Sequence, residues 1–200
     1  MHKILILSTK NPGKLREFKS YFKDTDYIIK SMDEVFKDHY DIEETGASFE
    51  ENAILKALFY SKISDYPVIG EDSGLSVESL NGFPGVYSAR IGKTDEERNR
   101  IILDKLKNKK GEERKACFIT VIALAFKGKT IKTFKGKVCG YITEKPTGEN
   151  GFGYDPLFYY KPLKKTFAQI EPEIKNLYSH RGRAIKKMVK YLNLNKNIIL

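Results

Sequence analysis

The stretch Lys3-Ile4-Leu5-Ile6-Leu7-Ser8 constrains the fold more than any other. Its centre, Ile4 to Leu7, is continuously apolar and β-prone, the pattern of an inner strand covered on both faces. Ser8-Thr9-Lys10-Asn11-Pro12-Gly13-Lys14 follows, with Asn11 placed to cap a helix and Pro12 suited to its first position. Leu15, Phe18 and Phe22 then recur at helical spacing. A strand, a hydroxyl-rich loop and a helix carrying Lys14 in its first turn together suit phosphate, through free backbone N–H groups, the positive dipole end and a lysine. The segment is not a P-loop: the leading Gly is missing and Leu15 stands where Ser or Thr should follow the lysine. The structural alternative is a well-capped helix with a surface lysine.

A second stretch carries the charge chemistry. Pro67-Val68-Ile69 reads as a buried strand, Gly70-Glu71-Asp72-Ser73-Gly74 as a turn, and Leu75-Ser76-Val77 as the start of another strand. Adjacent acids at a buried strand end repel one another and are costly to desolvate. A divalent cation removes both problems; the alternative is an exposed acidic turn. Upstream, Tyr27-Ile28-Ile29 reads as a strand, followed by an acidic irregular stretch leading to Glu43-Glu44-Thr45-Gly46-Ala47. Ser48 then caps a helix, with Glu51 completing a capping box and Ala53, Ile54, Ala57, Leu58 and Ser61 facing inward. Lys56 projects from it, Asn52 lies a turn earlier, and Asp65-Tyr66-Pro67 ends it. Glu50 and Glu51 have local helical roles; Glu43 and Glu44 lack so clear a one, which makes them metal-ligand candidates.

Downstream, Asn81 to Arg90 is a rigid Gly- and Pro-containing loop, of a kind that often lies near a site; the structural alternative is a turn packed by Phe83 and Tyr87. Thr94 to Glu97 is a further capping box, with Ile101, Ile102 and Leu106 following helically. Residues 116–126 and 130–143 read as paired strands around the turn Lys127-Gly128-Lys129. Residues 146–156 form a second Gly-rich loop in which Phe152 could stack on a base and Asp155 could accept from its edge. Ser179-His180-Arg181 opens a last helix with Ala184, Ile185, Met188, Val189 and Leu192 on one face. Basic residues in that first turn oppose the dipole unless an anion or polar ligand is near.

The net charge of +10 is unevenly spread: residues 33–51 hold eight acids and one lysine, residues 161–200 ten Lys or Arg and two Glu. One region suits a cation and another an anion, and a uniformly basic nucleic-acid binder would not need the acidic block. Hydrophobic residues at 40% and charged residues at 31% are ordinary for a soluble globular protein. The length fits a single domain spanning 1–200. No apolar run approaches the ~20 residues of a membrane span, and the start is too short for a signal peptide, so the expected location is the cytoplasm. Cys117 and Cys139 make no CxxC pair and read as small buried hydrophobes. Metal ligands, phosphate ligands and a stacking aromatic together predict a nucleoside triphosphate with Mg²⁺.

The motifs resemble those of the non-canonical purine NTP pyrophosphatases, the inosine triphosphate pyrophosphatase (XTP/dITP diphosphatase) family. The matching pieces are Thr9 to Lys14, Glu43-Glu44-Thr45-Gly46 with Ser48 to Ala53, Glu71 to Leu75, Gly82 to Arg90, Gly151 to Pro156 and Ser179-His180-Arg181. They run in register over essentially the whole chain. Lys10 departs from the usual Thr-Gly-Asn loop, and Asn150 stands where Gly is frequent. The resemblance implies a mixed α/β fold, elongated and two-lobed, with a central twisted mixed sheet and a nucleotide cleft between the lobes. It implies hydrolysis of ITP, XTP and dITP to monophosphate and pyrophosphate, which cleanses the nucleotide pool of deaminated purines. It also implies a homodimer and Mg²⁺, with Mn²⁺ as a substitute; neither membrane nor nucleic acid is an expected partner.

Carried over by that match, Glu43 and Asp72 hold the metal, Asp72 is the proton acceptor and Glu71 assists it. Thr9, Lys10, Asn11, Lys14, Lys56, Lys175 and Ser73 belong to the substrate's phosphate side. Phe152, Gly153 and Tyr154 lie on the base side, with Asp155, His180 and Arg181 reading the base edge. Donors there favour a 6-oxo purine over adenine. Two other readings stand beside this one: a Maf-like pyrophosphatase acting on other nucleotides, and a nucleic-acid binder using the basic C-terminal region.

Overall fold

The opening apolar run forms β1 (Lys3–Ser8), paired in parallel with β2 (Tyr27–Ser31) on one side and β3 (Val68–Val77) on the other. Leu5, Ile6 and Leu7 are fully buried, as a strand covered on both faces requires. The computed structural model describes residues 3–37 and 42–195. Asp38 and Asp41 of the acidic block, Lys196 of the basic region, and Met1 and His2 lie outside the described residues.

The protein is mixed α/β. Its seven-stranded sheet has the order β2-β1-β3-β4-β5-β6-β7, completed by β4 (Lys115–Phe126), β5 (Lys129–Ile142), β6 (Phe158–Tyr160) and β7 (Lys165–Thr166). The β1 pairings are parallel, whereas β5–β6 and β6–β7 are antiparallel. The α-helices among the described residues are α1 (Pro12–Phe22), α2 (Phe49–Ser61), α3 (Asp95–Lys105), α4 (Pro172–Tyr178) and α5 (His180–Leu194). None is long and apolar enough to cross a membrane.

Local chemistry sets the helix starts. Asn11 caps α1 by accepting from the Lys14 N–H, with Pro12 at the first position. Ser48 and Thr94 cap α2 and α3 by accepting from the N–H of Glu51 and Glu97. The capping-box glutamates reach one residue further back than expected, to the N–H of Ala47 and of Lys93. Lys127 and Gly128, both at positive φ, make the β4–β5 turn.

The chain forms two compact units. The first comprises Met1–Asp72, Thr120–Gly136 and Arg181–Leu200; the second comprises Ser73–Ile119 and Lys137–His180. In the first, Leu5, Leu7, Phe18 and Ile69 pack with Ile185 and Met188 of α5. In the second, Leu75, Ile102, Phe118, Phe158 and Phe167 form the core.

Two expectations are corrected. Gly70 to Gly74 is not a turn: β3 runs unbroken through it, because its charges are matched by partners on other elements. The cysteines are not buried hydrophobes either. Cys117 is half-buried and Cys139 exposed, on the neighbouring strands β4 and β5, and they form a disulfide.

Candidate active site

Gly70 sets the geometry of the first unit's charged cluster. A Cβ there would lie 2.6 Å from the Ala57 nitrogen and would collide with the Ala53 carbonyl, so only glycine lets the α2 backbone lie directly on β3. That approach brings Asn52 and Lys56 to the acids. Asn52 Nδ2 donates to Asp72 Oδ2 at 3.1 Å, and its Oδ1 accepts from the Gly46 N–H at 2.8 Å. One buried amide thus ties the Glu43–Ala47 loop to Asp72. Lys56 Nζ lies 3.6 Å from Asp72 Oδ1 and pairs with Glu44. Glu43 is exposed, while Glu44 is half-buried and close enough to act on the Asp72 carboxyl.

Glu71 is held by three partners. Lys14 Nζ lies 2.6 Å from its Oε2, Arg181 Nε lies 3.1 Å from its Oε1, and Thr120 Oγ1 donates to the same Oε1 at 2.6 Å. Arg181, itself buried, also pairs with Glu17 through Nη1. The neighbouring acids respond in opposite directions. Burial pushes the Glu71 carboxyl up, but Lys14 and Arg181 outweigh it and hold it well below the usual glutamate value. Burial pushes the Asp72 carboxyl up; Lys56 opposes this and Glu44 adds to it, and the net shift is upward.

On the phosphate-loop side, Thr9 Oγ1 accepts from the Asn11 N–H at 3.2 Å, while Lys10 and Asn11 are exposed. The loop is therefore internally braced ahead of α1.

In the second unit, the loop around Phe152 is organised by Asp155. Its Oδ2 accepts from the Phe152 N–H at 2.9 Å and meets Lys175 Nζ at 2.6 Å. Lys175 lies 4.8 Å from the Phe152 ring centre, so its neighbours are the base-side residues rather than other lysines of the phosphate set. Tyr154 is buried and its hydroxyl donates to the Ser88 carbonyl at 2.6 Å, anchoring the loop. His180 stacks on Phe118 with ring centres 4.7 Å apart. Ser73 is half-buried on β3. Asn150 donates to the Ile170 carbonyl at 3.3 Å, which gives this departure from the motif a structural function.

The structure thus brings Lys14, Lys56, Glu71, Asp72 and Arg181 together in one unit, and Phe152, Gly153, Asp155 and Lys175 together in the other. Sequence reading did not single out Thr120, Glu17 or the Asn52–Asp72 contact. Asn52 sat in a quoted motif; Thr120 and Glu17 carry no local signal. Among the described residues no three His, Cys, Asp or Glu side chains converge as a ready-made metal cage. Mg²⁺ does not need one, since it is commonly held by one or two carboxylates plus substrate phosphates. Glu44 and Asp72 are hard oxygen donors gathered about the Lys56 ammonium, a donor set that fits such an ion.

Residues 5–191 match the model of the Ham1 family. A dITP/XTP pyrophosphatase of Bacillus subtilis is 46% identical over 191 residues, covering 94% of this chain and 96% of that protein. The solved Ham1 protein of Staphylococcus aureus superposes with a TM-score of 0.84 at 44% identity, covering 96% of this chain and 98% of the other. The solved HAM1 protein of Coxiella burnetii gives 0.85 at 36% identity over the same shares.

Proposed function

Because the chain belongs to the Ham1 family, we propose that it is a hydrolase of nucleoside triphosphates. It splits the α–β phosphoanhydride of dITP, XTP and ITP into monophosphate and pyrophosphate, and so clears deaminated purines from the nucleotide pool. The observation that carries this reading is the different setting of two adjacent buried carboxyls: Glu71 is held by Lys14, Arg181 and Thr120, whereas Asp72 faces Lys56 and Asn52. Paired acids whose environments drive them apart divide into separate catalytic tasks.

Asp72 takes the proton from a water whose oxygen bonds to the α-phosphorus, while the bridging oxygen leaves with pyrophosphate. Glu43 and Asp72 would hold Mg²⁺, or Mn²⁺ in its place, with Glu44 a further oxygen donor close to Asp72. When bound, the ion supplies a more acidic water and neutralises phosphate charge. Lys14 and Lys56 meet the phosphate oxygens, and Glu71 fixes where Lys14 stands. Phe152 stacks on the purine, and Asp155, Lys175 and His180 serve its edge. Donors among them suit a 6-oxo group and not a 6-amino group. The same reading makes the protein a cytoplasmic homodimer.

The test is pyrophosphate release from ITP, XTP, dITP, ATP, GTP and dTTP, with and without Mg²⁺. Mg²⁺-dependent release favouring ITP and XTP is expected; a folded protein that releases none defeats the reading, and preferential release from dTTP points to a Maf-like specificity. Asp72→Asn should lower turnover by roughly 10²–10⁴-fold, the usual range for a lost general base, with an unchanged circular dichroism spectrum.

A further inference from the structure

The loop that presents Phe152 is gripped from α3. Asp95 Oδ2 accepts from the Gly153 N–H at 2.7 Å, and Asn99 Nδ2 donates to the Gly153 carbonyl at 3.1 Å. Residues four apart share a helix face, so two side chains of α3 hold both polar groups of the residue that follows Phe152. Gly153 has a φ of 64°, and nothing lies within 4 Å of where its Cβ would stand. The glycine therefore serves the left-handed turn, not a shortage of space.

Both jaws are themselves built in. Asp95 pairs with Arg98, whose Nη1 donates to the Gly92 carbonyl at 2.9 Å. Asn99 is 6% exposed, and its buried Oδ1 has no hydrogen-bond partner among the described residues. An unpaired buried acceptor costs stability, which an apolar side chain at that position would avoid. Of the amide's two ends, only the donor to Gly153 repays that cost. On the inner side, Asp155 holds the Phe152 N–H and Lys175 lies over the ring. Phe152 is thus fixed from both flanks.

We propose that Asp95 and Asn99 are positioning residues for base recognition: by clamping Gly153 they set the plane of the Phe152 ring, and with it the preference for a purine over a pyrimidine. This rests on the reading of Phe152 as the stacking platform. Loosening the clamp weakens the stack and leaves the phosphate chemistry of the other unit alone.

The experiment measures kcat and KM for ITP and UTP in wild type, Asp95→Ala, Asn99→Asp, Phe152→Ala and the double variant Asp95→Ala/Phe152→Ala. Asn99→Asp keeps the side-chain shape and removes the donor; should it fail to fold, Asn99→Ser takes its place. Each clamp variant is expected to raise KM for ITP about tenfold, the scale of a weakened base–aromatic stack. Their kcat should stay within about twofold, and the ITP-to-UTP ratio of kcat/KM should narrow. Asp95→Asn, which keeps an accepting oxygen, should recover most of the loss. In the Phe152→Ala background Asp95→Ala should add nothing, because the clamp acts through that ring. An active wild type with Phe152→Ala impaired but clamp variants unchanged, or with kcat and not KM affected, overturns the clamp alone. Phe152→Ala behaving as wild type overturns the platform and the clamp together, and an inert wild type overturns the function beneath both.

Discussion

Glu71 keeps its charge with no exposed side-chain surface because Lys14, Arg181 and Thr120 all direct positive charge or a proton at it. Removing one member of such a buried set exposes the cost of the others. Glu71→Gln should destabilise the protein by about 3 kcal/mol, read from urea unfolding. Its pH dependence has a definite sign. The folded carboxyl sits well below the ordinary value of 4.5 and the unfolded one does not. The contribution is therefore full above that value and is lost progressively as pH falls from there through the lowered pKa of the folded carboxyl, so Glu71→Gln should flatten the acid limb of the stability curve. Arg181 shares this network with Glu17 and Glu71. A loss of activity in Arg181→Ala would therefore combine two unpaired acids with any lost base contact. The motif marked Arg181 as important; its partner Glu17 lies 164 residues away in sequence, which no local pattern reports.

At the scale of elements, β3 and α2 meet backbone to backbone at Gly70. Gly70→Ala should cost about 1–3 kcal/mol by overpacking, and it should lower turnover because Asn52 and Lys56 ride on the displaced helix; thermal melting and pyrophosphate release check the two effects. The same contact explains where sequence reading failed. Gly, Asp and Ser are turn residues by propensity, so Gly70 to Gly74 read as a turn. In the fold the glycine serves helix approach and the acids are satisfied by α1, α2, β4 and α5. Elements with their own local signals were legible: the apolar run of β1, the caps at Asn11, Ser48 and Thr94, and the β4–β5 turn. The disulfide was not legible: Cys117 and Cys139 read as small buried hydrophobes, and only the pairing of β4 with β5 brings them together. Which acid approaches Asp72 was not legible, because Glu43 and Glu44 differ in burial and not in kind.

Across the whole molecule, chemistry is divided by unit. Lys14, Lys56, Glu71 and Asp72 come from the first segment of the first unit, with Thr120 and Arg181 bracing Glu71 from its other two; Phe152, Asp155, Lys175 and His180 come from one segment of the second. Local sequence motifs therefore locate the groups one at a time, and only the strand order β2-β1-β3-β4-β5-β6-β7 assembles each set.

The last helix contributes Arg181 to acids that precede it by more than a hundred residues. As the chain leaves the ribosome, Glu17 and Glu71 emerge long before their shared cation. Until α5 is released, Glu71 has Lys14 and Thr120 but not Arg181, and the apolar faces that will meet Ile185 and Met188 are bare. The nascent protein thus cannot assemble its acid cluster early. A chain halted before α5 therefore lacks the cation that Glu17 and Glu71 share.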